Sequence, residues 1–137
     1  MMTNSRTKGK SFEREVANII KDHTGFDVKR NLMQTAEGGH DLLGVPGFAI
    51  ECKRYASVKH GDLVRFWEQA VRQARDIGQA PCLILKGDRQ PIRVYVVWTG
   101  LLGMGAYDWD DFNCAAGISM DLFCAILTDG VDASAND

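Results

Sequence analysis

HDLLGVPGFAIECKRY, residues 40–55, decides the fold. Phe48-Ala49-Ile50 is an apolar run that leads directly into the polar triplet Glu51-Cys52-Lys53. Side chains alternate along a strand, so Glu51 and Lys53 share one face while Cys52 points into the core. Pro46-Gly47 is a turn signal that folds the chain back and brings the Asp41 end of one strand beside Glu51 on the next. Asp41 and Glu51 are separated by nine residues. Two carboxylates and an ammonium then converge at one sheet edge.

That grouping has the parts that phosphodiester hydrolysis needs. Asp41 and Glu51, with the carbonyl region at Glu51-Cys52 and water, offer oxygen ligands to Mg²⁺. The cation neutralises phosphate and acidifies an attacking water, while Lys53 orients that water or stabilises developing charge. ExK alone is a weak pattern, equally compatible with a surface Glu–Lys pair. Its context here is more specific: a Glu37-Gly38-Gly39 loop before Asp41, then the hairpin.

Outward from this centre, FDVKRNLMQ (26–34), HDLLGV (40–45) and FAIECKRY (48–55) read as a β-meander. Before it, Phe12, Val16, Ile19 and Ile20 recur at helical spacing, predicting a helix over 11–23 capped by Ser11 and ended by Gly25. After it, 61–78 returns to helical period with Leu63, Val64, Trp67, Ala70, Val71, Ala74 and Ile77 on one face. PCLILKG (81–87) and IRVYVVWTG (92–100) read as two more strands. The order α-β-β-β-α-β-β predicts an α/β fold with a mixed central sheet flanked by helices.

The 137 residues fit one domain, expected over 11–128. Residues 1–10 read as a flexible basic arm, and 129–137, DGVDASAND, as a disordered acidic tail. From about 102, YDWDDF and ISMDLFCAIL suggest a short helix or strand added at the sheet edge. No apolar run approaches the ~20 residues of a membrane helix, and the N-terminus lacks a signal-peptide core. The expected setting is the cytoplasm, with no membrane partner. Cys52, Cys82, Cys114 and Cys124 lack zinc spacing and read as structural thiols.

The net charge of −2 conceals a segregation. Residues 1–60 carry ten Lys/Arg against seven Asp/Glu, and 61–93 carry six against four. Residues 94–137 have seven Asp and no basic residue. A basic first two-thirds suits phosphate contact, although an acidic end that merely solubilises gives the same pattern.

GKSFEREVANIIKDHTGFDVKRN (9–31) followed by GGHDLLGVPGFAIECKRY (38–55) resembles the archaeal-type Holliday junction resolvases and their phage relatives in the PD-(D/E)xK nuclease superfamily. The likeness runs over roughly residues 8–97. It implies a restriction-endonuclease-like core, a homodimer, and use of Mg²⁺ or Mn²⁺ to nick four-way DNA junctions symmetrically in recombination and repair. A phage-encoded member would work in the host cytoplasm. On this resemblance Asp41 and Glu51 are metal ligands, Lys53 is the catalytic lysine, and Glu13 is a further catalytic and metal-binding acid. Arg14 and Arg30 match positions associated with DNA. His40 stands where the superfamily pattern has proline, and the chain beyond Trp98 has no clear counterpart.

Helix geometry supports Glu13 over Glu15, because Glu13 shares an edge of the apolar stripe with Ala17 and Ile20. Gln69 and Gln73, one turn apart, suit contact with the site or with a phosphate backbone; a solvated face is the alternative. Lys8, Lys10, Arg54 and Lys59 flank the triplet and are expected to grip phosphates. Trp67 reads as core. Two other functions stay open: a nuclease of this superfamily cutting duplex, flap or damaged DNA without junction preference, and a DNA-binding module without catalysis.

Overall fold

The computed structural model describes residues 5–33, 39–97 and 109–135. The first residues of the expected arm, Glu37 and Gly38 of the loop before Asp41, the beginning of the expected edge extension and the last two residues lie outside that set.

Helix α1 (Ser5–Thr24) is followed by β1 (Lys29–Arg30), β2 (Leu42–Leu43) and β3 (Phe48–Arg54). Then come α2 (His60–Asp76), β4 (Ala80–Lys86) and β5 (Arg93–Val97). A 3₁₀ turn (Phe112–Cys114), β6 (Ala115–Ser119) and α3 (Met120–Ala135) complete the order. Among the described residues the six strands form one sheet in sequence order. All neighbours are antiparallel except β3 and β4, whose α2 crossover makes them parallel, as such pairs require. The sheet is therefore mixed and flanked by helices, in the expected order with one strand and one helix added.

Alternation along the central strands divides the core between two faces. Ile50, Cys52, Cys82, Ile84, Val94 and Val96 meet Phe12, Val16 and Ile20 of α1 and Phe123 and Leu127 of α3. On the other face Leu83, Leu85 and Val97 meet Phe66, Trp67, Ala70 and Val71 of α2. Trp67 is fully buried, and its indole N–H donates to the Trp109 carbonyl at 2.6 Å. It is core, as its position in the apolar stripe suggested.

Several boundaries differ from the sequence reading. Helix α1 begins at Ser5, so Ser11 is an exposed interior residue rather than a cap, and Lys8 and Lys10 ride on the helix rather than on a flexible arm. Polar residues 5–10 carry no apolar periodicity, yet they extend a helix already anchored by Phe12 and Val16, which is cheaper than nucleating one. The same reason applies to the tail: α3 runs through Ala135 from the buried Phe123 and Leu127, so 129–135 are helical rather than disordered. The first two strands are only two residues each. Residue Ile77, expected on the buried stripe, is 44% exposed at the C-cap of α2, where the chain has left the helix. Among the described residues no helix is long and apolar enough to cross a membrane.

Candidate active site

The β2–β3 hairpin builds the site. Leu42 pairs with Ile50, and continuing that antiparallel register sets Asp41 opposite Glu51. The Asp41 N–H donates to the Ile50 carbonyl at 2.8 Å. Its carboxylate Oδ2 accepts from the Cys52 N–H at 2.6 Å. Asp41 is thus fastened to the β3 backbone between Glu51 and Lys53. On its other side the Asn31 N–H donates to the Asp41 carbonyl at 2.8 Å, and the Asn31 amide donates to the His40 carbonyl at 2.9 Å. Gly44, at φ +95°, permits this layering, since a Cβ there would collide with the Asp27 carbonyl.

Glu51 and Lys53 lie on the face covered by α2. Lys53 Nζ is 3.2 Å from Glu51 Oε1 and sits 5.2 Å from the centre of the Phe66 ring. From α2, the Gln73 amide, oriented with its nitrogen toward the surrounding acceptors, donates to Glu51 Oε2 at 2.5 Å and to the Gly39 carbonyl at 3.3 Å. Glu51 is therefore held from both sides.

Both acids are buried, Asp41 at 6% and Glu51 at 4% exposure. Burial pushes the Glu51 carboxyl up to about 8, the Asp41 charge adds to that, and the Lys53 ammonium opposes it. Two buried carboxylates that resist simultaneous ionisation form a site whose repulsion a divalent cation would relieve. Among the described residues, no three His, Cys, Asp or Glu side chains come together as a ligand set. Mg²⁺ fits this arrangement, because it is commonly held by one or two carboxylates and keeps water or phosphate oxygens in its other positions.

Glu13 is not drawn into a three-acid set with Asp41 and Glu51. Its carboxylate Oε2 accepts from Arg30 Nε at 2.8 Å in a pair that is largely shielded from solvent. It stands near enough for its charge to raise the Glu51 pKa slightly. Arg30 consequently has an intramolecular partner, and so has Arg54, 2.7 Å from Asp88. Lys8 lines a shallow depression with Ser11, Phe12, Glu15 and Arg54. Lys10, Arg14 and Lys59 are exposed, and Gln69 is half-buried one turn before Gln73.

Two neighbours of the site escaped the sequence reading. Asn31, the residue after β1, braces Asp41, and nothing local in the sequence marks it. Phe66 carries Lys53 on its ring and stacks on Tyr55 with centroids 5.1 Å apart. Its signal was available, because Leu63, Phe66 and Ala70 follow helical spacing along the buried stripe. Burial drives the thiols of Cys52 and Cys82 well above their usual pKa, which makes them packing groups rather than nucleophiles.

A mixed sheet presenting a hairpin Asp beside a Glu-x-Lys strand defines a PD-(D/E)xK-type protein. The chain belongs to the family of phage putative PDDEXK endonucleases, whose model matches residues 4–102. Protein D14 of Escherichia phage T5 is 28% identical over 109 residues, covering 65% of this chain and 68% of that protein. A solved structure of Hjc, a Holliday junction resolvase from Archaeoglobus fulgidus, is 26% identical. It covers 64% of this chain and 70% of its own, with a TM-score of 0.46.

Proposed function

We propose that the chain is a Mg²⁺-dependent DNA endonuclease that acts as a homodimer on branched DNA in the host cytoplasm, nicking four-way junctions at paired positions, with Mn²⁺ able to replace Mg²⁺. The observation that carries the chemistry is the fastening of Asp41 onto the Cys52 N–H, which fixes one carboxylate between Glu51 and Lys53. Family membership and the motif resemblance over 9–55 support DNA as the substrate.

Asp41 and Glu51 would hold the metal. When bound, it supplies charge neutralisation at the phosphate and acidifies the attacking water. The Asp41 carboxylate keeps its position because its backbone bond leaves the side chain little freedom. The Gln73 amide orients Glu51 from above. Lys53, carried on Phe66, holds its ammonium next to the reacting phosphate and stabilises the charge that develops there. Glu13 acts at one remove by fixing Arg30 at the sheet edge. Lys8, Lys10, Arg14 and Lys59 contact phosphates on either side, with Gln69 as a further polar contact. Paired nicks on a two-fold junction require two sites, which favours a symmetric dimer.

The test is cleavage of a synthetic four-way junction, a matched duplex and a single strand, with Mg²⁺ or EDTA, beside Asp41→Asn. Paired nicks in the junction alone, lost with EDTA and in Asp41→Asn, are expected. Equal cutting of all substrates would retain the nuclease and discard junction selectivity. No cutting with intact DNA binding would leave a binding module. A strict monomer on the junction by sedimentation would remove the dimer.

A further inference from the structure

A cleft of about 380 Å³ lies on the same sheet face as Glu51 and Lys53, beyond the start of α2. Its size falls within the ~300–1,000 Å³ range of small-ligand sites. The strand registers fix its distance from the catalytic residues. Lys53 pairs with Leu85 and Leu85 with Arg93, so one row of side chains crosses from the catalytic lysine to the cleft. Two strand spacings make that step about 10 Å.

The cleft has an apolar floor of Leu63, Leu85 and Pro91. One wall carries Tyr95, whose ring lies across Gly117, where an added Cβ would approach Cε1 to 3.0 Å. Phe112 flanks that ring with centroids 5.5 Å apart, so the aromatic plane is held rather than free. Polar groups stand at the rim: Ser57, Gln90 and the exposed Arg93. Asp88 also lines it, but its charge is met by Arg54 at 2.7 Å, so the rim does not repel a polyanion through that carboxylate.

The rim is also fixed. The Asp88 N–H donates to the Ala56 carbonyl at 3.0 Å, and the Tyr55 N–H donates to the Lys86 carbonyl at 3.2 Å. These bonds tie the β4–β5 turn to the segment leading into α2. Within that turn Arg89 adopts φ +61°, a left-handed conformation unusual for a residue with a side chain. Such outliers persist where surrounding structure enforces them and often mark binding sites.

An apolar floor, a fixed aromatic plane, hydrogen-bonding rim groups and a cation suit a flat heteroaromatic group on a phosphate chain. We infer that this cleft receives an unpaired nucleobase of the DNA strand, one or two nucleotides from the phosphate held at Asp41, Glu51 and Lys53. The inference rests on the nuclease reading for its ligand. It adds a reason for selecting DNA with unpaired bases, since a fully stacked duplex has no base to insert.

The experiment uses branched DNA with one unpaired nucleotide beside the cleaved phosphate, carrying either 2-aminopurine or an abasic sugar. Binding is read in EDTA and cleavage in Mg²⁺, for the wild type, Ser57→Phe and Arg93→Ala. Ser57→Phe obstructs the rim from an exposed loop position, and Arg93→Ala removes the cation without touching the core. The expected wild-type result is quenched 2-aminopurine fluorescence and about tenfold weaker binding of the abasic DNA, the size of one base–aromatic stack. Ser57→Phe should bind both DNAs alike and cut a four-way junction without unpaired bases at the wild-type rate, and Arg93→Ala should lower the discrimination. Unchanged quenching in both variants, or no discrimination by the wild type, would overturn the inference. Cleft-dependent quenching without cleavage of any DNA would instead leave the cleft and sink the nuclease reading.

Discussion

The two faces of strand β3 use alternate residues for opposite purposes. Ile50 and Cys52 point toward α1 and α3 into a wholly apolar core, while Glu51 and Lys53 point toward α2 and form an ion pair under Phe66 and Gln73. One strand therefore supplies both cohesion and chemistry without mixing them. The cost falls on the α2 face, where a buried carboxyl is desolvated and crowded by a second one. The opposite face has no such conflict and can absorb that cost.

The largest effect that would test this division is on cleavage. Glu51→Gln should lower the cleavage rate by roughly 10³-fold, the scale expected when several kcal/mol of transition-state stabilisation is lost. The same change should leave the fold as stable or more stable in the absence of metal, because it removes a carboxyl that burial holds protonated against its usual ionised state. Urea melts run beside the assay would show the opposite signs; a strongly destabilised Glu51→Gln would mean that the pair is needed for folding and that the two faces are not separable.

Ile50→Ala on the other face should reverse the pattern. A fully buried isoleucine cut to alanine costs about 2–5 kcal/mol of stability. Cleavage per folded molecule should stay within about threefold of wild type, because the side chain faces away from the site and the backbone carbonyl that accepts from Asp41 is kept. A rate collapse in protein that is still folded would show that the apolar face tunes the geometry of the acids.

The effect spread over the widest range of conditions is on pH dependence. Glu51 titrates near 8 in the folded chain against 4.5 as its usual value. Between those limits the folded protein keeps a proton that the unfolded chain has released. Metal-free stability should therefore fall as pH rises through that window and level off above it. Glu51→Gln should flatten the slope. Mg²⁺ binding at pH 7 should release about one proton, seen calorimetrically as different heats in phosphate and Tris buffers. Identical heats would mean that Glu51 is already ionised.

The sequence carried the centre of the molecule further than its ends. Alternation and the Pro46-Gly47 turn were enough to place Asp41, Glu51 and Lys53, because register in a short hairpin is set locally. The β3–α2–β4 unit was equally legible, since apolar strands and a periodic helix differ in rhythm. What escaped was decided by distant partners. The helical path of residues 5–10 depends on an anchor further along α1. An addition at the sheet edge was expected from about 102, but that Ala115–Ser119 forms its strand depends on pairing with β5, which local propensity does not describe. Neither the Arg30–Glu13 nor the Arg54–Asp88 pair was foreseen, so two arginines expected on DNA already hold acidic partners in the chain. Gln73 was singled out as one of two candidates, and only its place on α2 over β3 shows that it reaches Glu51.

The separation in sequence between the components of the site has a kinetic consequence. Asp41 and Glu51 meet through a hairpin, a contact that closes within microseconds and needs no other part of the chain. Gln73 and Phe66 arrive only with the α2 crossover that allows β4 to pair in parallel, a non-local step with a larger loop entropy. The two acids can thus be brought together while still in water, where their repulsion is weak. Their conflict develops as the helix seals over them, so the docking of α2 is expected to be the folding step most sensitive to pH.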